Sequence, residues 1–123
     1  MQHDNWGPHF IATADASRIL SGRVQLREDI DEGLLRRELD AMGLSGPILR
    51  IMNQWFIRKV GENTWRQLGA SDERSSGFRV LWDSSSVENG DYEVLEQMNV
   101  FVKAGSQQQV VARTNTVKVA VNN

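Results

Sequence analysis

The stretch Phe78-Arg79-Val80-Leu81-Trp82-Asp83-Ser84-Ser85-Ser86-Val87-Glu88-Asn89-Gly90-Asp91-Tyr92-Glu93-Val94 decides how this chain is read. Phe78, Val80 and Trp82 share one parity, which is the two-residue period of a strand buried on one face. Residues 83–90 form a polar connection ending in Asn89-Gly90. Apolar residues then resume on a single parity, as Tyr92, Val94, Met98, Val100 and Val102, along a strand in which Glu96 is the exception. No helical period separates the two strands, whereas parallel neighbours need a crossover, usually a helix.

Similar signals recur on both sides of this stretch. Leu20, Val24 and Leu26 oppose Arg23, Gln25 and Arg27 across residues 21–28. In residues 48–60 the stronger apolar face is Leu49, Ile51, Trp55 and Ile57, with Met52, Phe56 and Val60 on the other, so a bulge or a partly covered second face is expected. Residues 61–63 read as a hairpin turn, 64–68 as a short return strand and 69–77 as a polar run. Residues 104–108 turn the chain again, and Val117, Val119 and Val121 alternate to its end. About seven short strands at regular spacing predict an all-β fold, an antiparallel β-sandwich. One segment changes period. Leu34, Leu35, Leu39 and Met42 recur every three or four residues, with Asp29 or Asp31 as cap, Glu32 at the positive end of the dipole and Gly43 as stop. These features predict one short inserted helix over about 31–43. Residues 1–8 read as a lead-in or linker, and residues 9–123 as one domain.

The Trp82-Asp83 strand end, the hydroxyl-rich connection and Asn89-Gly90-Asp91-Tyr92 resemble a recurring signature of bacterial immunoglobulin-like domains. Residues 21–26 resemble that family's second strand, 55–68 its central hairpin, and 104–105 with 115–121 its last hairpin and strand. The helix is the departure, since such domains usually pass between these strands by a short loop. The resemblance implies an immunoglobulin-like β-sandwich belonging to secreted or cell-surface multidomain proteins, which act as spacers, docking pieces or adhesive units. Tyr92, just after Gly90, is set to bury its ring and hydrogen-bond back to the preceding connection, as in the tyrosine corner of such sandwiches. Trp82, Tyr92 and Gly90 are the expected structural residues.

Composition narrows the function. The 123 residues suit one domain, of which about two-thirds of the extended-chain surface is buried on folding. No cysteine is present, which removes disulfides, thiol nucleophiles and thiolate metal sites. A net charge of -2 is incompatible with the dense basic surface that nucleic acid requires. No apolar run approaches the roughly 20 residues that span a bilayer.

Candidate sites are few. His3 and His9 are the only histidines and lie in or beside the polar lead-in, so no catalytic residues and no cofactor are expected. A free Met1-Gln2-His3 terminus can bind copper, a reading ranked below an artificial start at Met1. Glu28, Asp29, Asp31 and Glu32 are dense enough in carboxylates to hold Ca²⁺, and the competing reading, which we favour, is helix capping plus a solvated face. Four tryptophans are the compositional excess. Trp82 and Trp55 are assigned to the core, while Trp6 and Trp65 either form a platform for sugar rings or pack against an edge or a neighbouring domain, packing being favoured. The stripe Leu35, Leu39 and Met42 either packs on the sheets or meets a partner. The expectation is a non-catalytic accessory module of a larger extracellular protein, partnered by neighbouring domains or a surface protein. A carbohydrate-binding module for polysaccharide is the alternative.

Overall fold

A computed structural model describes residues 19–28 and 30–123. Seven strands in two sheets and one α-helix make up its regular structure, so the fold is mainly β. The strands are β1 (Ile19–Leu20), β2 (Arg23–Leu26), β3 (Ile48–Lys59), β4 (Arg66–Ser71), β5 (Val80–Asp83), β6 (Gly90–Ala104) and β7 (Gln107–Val121); helix α1 (Glu32–Ala41) lies between β2 and β3. One sheet has the order β1-β7-β6-β3-β4, and the other is the pair β2-β5. Every pairing is antiparallel except β1 with β7, which run parallel at the sheet edge.

The larger sheet buries one face, and two different elements cover it. Trp55 and Ile57 of β3, Tyr92 and Val94 of β6, and Val119 and Val121 of β7 pack against Val24, Leu26, Val80 and Trp82 of the β2-β5 pair. Farther along the same face, Ile51, Met98, Val100 and Val102 pack against Leu35 and Leu39 of α1. The helix stripe therefore belongs to the core, except for Met42, which is exposed at the helix end. Asp31 caps α1 by accepting from the Leu34 amide at 3.0 Å. Fully burying each large apolar side chain contributes roughly 1.5–3 kcal/mol, so both clusters hold the coverings to the sheet.

Several boundaries differ from the sequence expectation. The return strand occupies 66–71, not 64–68, because β4 bulges: Trp55 faces Gly69 and Phe56 faces Gln67, leaving Leu68 between them. A second irregularity between Ile48 and Arg50 turns Leu49 outward to 52% exposure, removing it from the apolar face assigned to it. Phe78 is buried but is not part of β5, since its φ of 56° breaks the strand geometry. Strand β7 begins at Gln107, eight residues before the family resemblance placed it, because the β6 hairpin partner continues to Ala104. The lead-in 1–8 lies outside the described residues.

Trp82, the first of the expected structural residues, is 8% exposed, among the residues that join the two sheets. Tyr92 enters β6, and its hydroxyl donates to the Glu88 carbonyl at 2.7 Å. Gly90 has φ 148°, which side-chain-bearing residues rarely adopt.

Candidate functional site

Where the two apolar clusters meet, the buried face turns polar. On β3 the inward row reads Ile51, Asn53, Trp55, Ile57; on β6 it reads Tyr92, Val94, Glu96, Met98, Val100, Val102. The antiparallel register sets Trp55 opposite Glu96 and Asn53 opposite Met98, so Asn53 and Glu96 are diagonal neighbours on one face. Glu28, beyond the end of β2, supplies a third polar group. Its backbone amide donates to the Gly77 carbonyl at 2.9 Å, which anchors it over the seam. Exposures are 1% for Glu28, 0% for Asn53 and 2% for Glu96.

Local backbone geometry seals the roof. Gly77 adopts φ 71°, and a Cβ there would lie 3.0 Å from the Glu28 carbonyl oxygen. Phe78 follows in the left-handed region, a costly conformation for a bulky side chain. That turn aims the Phe78 ring into the helix-covered cluster, and its carbonyl accepts from Trp55 Nε1 at 3.2 Å.

The chemistry is that of two carboxyl groups sharing a buried site. Asn53 Nδ2 donates to Glu28 Oε1 at 3.2 Å. Burial, then the negative charge of Glu28, then a hydrogen bond with Glu28 push the Glu96 carboxyl up to about 10. At neutral pH Glu96 is therefore a neutral acid. Asn53 Oδ1 and Glu96 Oε2 remain buried without hydrogen-bond partners. The pair holds a proton in the core, since both carboxyl groups are almost fully buried. Beside it lies an open cleft of about 430 Å³ lined by Glu28 together with Arg27, Glu32, Arg74 and Arg79. Arg74 donates to Glu32 there at 2.8 Å.

The acidic run proposed for Ca²⁺ is dispersed. Glu28 points into the core, Asp31 caps the helix and Glu32 pairs with Arg74; Asp29 lies outside the described residues. The solvated-face reading thus fails for Glu28, which is buried against Asn53 and Glu96 instead. Among the described residues, no group of three or more His, Cys, Asp or Glu side chains is arranged to hold a metal. The copper reading at Met1-Gln2-His3, the histidines His3 and His9, and Trp6 also fall outside the described residues. Trp65 is half-buried and the Arg58 guanidinium stands 4.4 Å above its ring, so one stacking face is occupied. Arg58 is itself fixed by Glu93 at 2.8 Å.

Asn53 and Glu96 are detectable as polar interruptions of apolar parities, and Glu28 as a polar continuation of the Val24 and Leu26 parity. No protein-family model matches the chain, and no curated protein or solved structure was found to match it.

Proposed function

We propose that this chain is a non-catalytic immunoglobulin-like accessory module, acting as a spacer, docking or adhesion unit in a larger extracellular bacterial protein. The observation that carries the reading is the strand order. The run β7-β6-β3-β4, with the β2-β5 pair across its face, is the order expected if these strands are the G-F-C-C′ strands and the B-E pair of an immunoglobulin domain. The parallel edge strand β1 beside β7 and the bond from Tyr92 to Glu88 at the entrance to β6 agree with it. Helix α1 stands between the second and third strands as an insertion. The non-catalytic part of the reading is supported by the near-complete burial of both carboxyl groups, Glu28 and Glu96.

Cross-strand nuclear Overhauser contacts test the topology. Contacts of Val24 with Trp82 and of Leu20 with Val121 are expected, and pairing of β2 with β3 would refute the immunoglobulin assignment. Titration with soluble polysaccharides, followed by tryptophan fluorescence, tests the accessory role. A saturable change abolished by Trp65→Ala would replace it with the carbohydrate-binding alternative.

A further inference from the structure

The face of the larger sheet turned away from the core has no charged side chain at its central positions, although the Arg50 guanidinium stands 5.5 Å over the Phe101 ring at one edge. Every second residue from Met52 to Phe56 on β3, from Leu95 to Phe101 on β6 and from Val110 to Thr116 on β7 points outward, and none of these eleven is buried. In a chain that is 24% charged, about two or three charges would fall among eleven surface positions. Depletion of charge around large apolar side chains distinguishes the centre of a protein interface from ordinary surface. Among the described residues, both apolar clusters lie on the opposite face, and no element covers this one.

Its margins carry charge: Arg58, Glu93, Lys118 and Asp91 at one end, Arg50 and Lys103 at the other. Asp91 lies six residues before Gln97 on β6 and Lys103 six residues after it, both exposed. We propose that this face docks on a second copy of the same chain, the two related by a two-fold axis running across the strands at Gln97. That operation lays β6 over β6 in reverse, so Asp91 of each copy meets Lys103 of the other, and the uncharged centres stack. Two sheets packed face to face keep their strands within about 30°, which preserves this exchange of ends. Arg58 falls opposite the partner's Arg50, but each is already paired within its own chain, with Glu93 at 2.8 Å and Asp72 at 3.5 Å. Strands β3, β6 and β7 over ~11 residues of rise at ~4.8 Å spacing, with the 6 residues of β4 beside them, give a face of roughly 600 Å², somewhat below the ~800 Å² per partner of a standard stable interface. A second copy is a partner for the docking role inferred above, and its assignment rests on that reading.

Sedimentation velocity of the full chain, from about 1 µM to about 1 mM, tests it, with circular dichroism melts to show that each variant folds. The mass is expected to rise from 13.9 kDa toward twice that value with concentration. Gln97→Glu sets two carboxylates against each other on the axis and should raise the dissociation constant at least about tenfold. Lys103→Glu should do the same by facing the partner's Asp91, and the double change Asp91→Lys with Lys103→Glu should return it to within about threefold. A single mass of 13.9 kDa throughout, or a dimer indifferent to Gln97→Glu, overturns the proposal. Either result leaves the strand-pairing test of the accessory reading unaffected.

Discussion

Replacing Glu96 by glutamine should make the protein more stable at neutral pH, although it removes a buried hydrogen-bonding acid. The carboxyl group titrates near 4.5 in an unfolded chain but near 10 in the fold. Unfolding between those values therefore releases a proton, and the folded state loses about 1.4 kcal/mol with each pH unit gained. The sign follows from a raised folded value: the contribution is complete below 4.5 and declines through the window up to about 10. From 4.5 to 7 the loss reaches roughly 3 kcal/mol, a large part of the 5–15 kcal/mol typical of small domains. The amide of the Glu96→Gln variant keeps the shape and donates to Glu28 without titrating. Urea unfolding followed by tryptophan fluorescence, at pH 5 to 9, measures both chains, since Trp55 is fully buried and reports the transition. The parent midpoint should fall steadily with pH while the variant's stays flatter, so the curves diverge by up to roughly 3 kcal/mol at pH 7. Parallel curves, or a parent more stable at pH 8 than at pH 5.5, would refute the assignment of a buried neutral acid.

Further outcomes follow from the packing. Trp82→Ala opens a cavity between the two sheets and should cost about 3–5 kcal/mol, read as a lower thermal midpoint; an unchanged midpoint would remove Trp82 from the core. Tyr92→Phe should cost about 1 kcal/mol, because the Glu88 carbonyl loses its 2.7 Å donor. Gly46→Ala should be the more damaging of two glycine changes: its Cβ would collide with the Lys103 carbonyl oxygen, whereas at Gly105 only the positive φ resists, and that costs about 1–2 kcal/mol. Calcium at millimolar concentration should leave the melting midpoint unchanged, since Glu28, Asp31 and Glu32 do not converge; a rise of several degrees would show that a site exists.

The strands that alternate cleanly were legible because one face is buried and the other wet. Val80 and Trp82 on β5, and Tyr92 through Val102 on β6, follow that rule through to the observed register. The start of β7 was not legible, because its inward positions Gln109, Arg113 and Asn115 are polar. Arg113 reaches Glu38 of α1 at 3.9 Å, so the helix supplies charge as well as apolar cover there. The candidate site was half visible. Glu96 stood out on an apolar parity; Glu28 continues the parity of Val24 and Leu26 but lies past the end of β2, so its burial depends on the turn at Gly77 far along the chain.

The position of the polar trio gives it a structural consequence. Asn53 and Glu96 lie midway along β3 and β6, between a region covered by strands and one covered by a helix. A one-residue slip of β6 would turn Glu96 outward and present Glu93, Leu95, Gln97, Asn99 and Phe101 to the core. Only Leu95 and Phe101 of that row are apolar, so the alternation of β6 favours the observed register along most of its length and is weakest at Glu96, the one acid on the inward face. Glu96 supports the register at that point, because only the observed pairing sets it beside Asn53 and Glu28. On this argument Glu96→Leu should retain or raise global stability while loosening the β3-β6 register, as replacement of buried polar groups by apolar ones can do. Amide exchange resolved by residue provides the measurement. Protection lost around Asn53 and Glu96 at undiminished global stability is the expected result, and uniform protection along β6 would show that the apolar rows set the register without help.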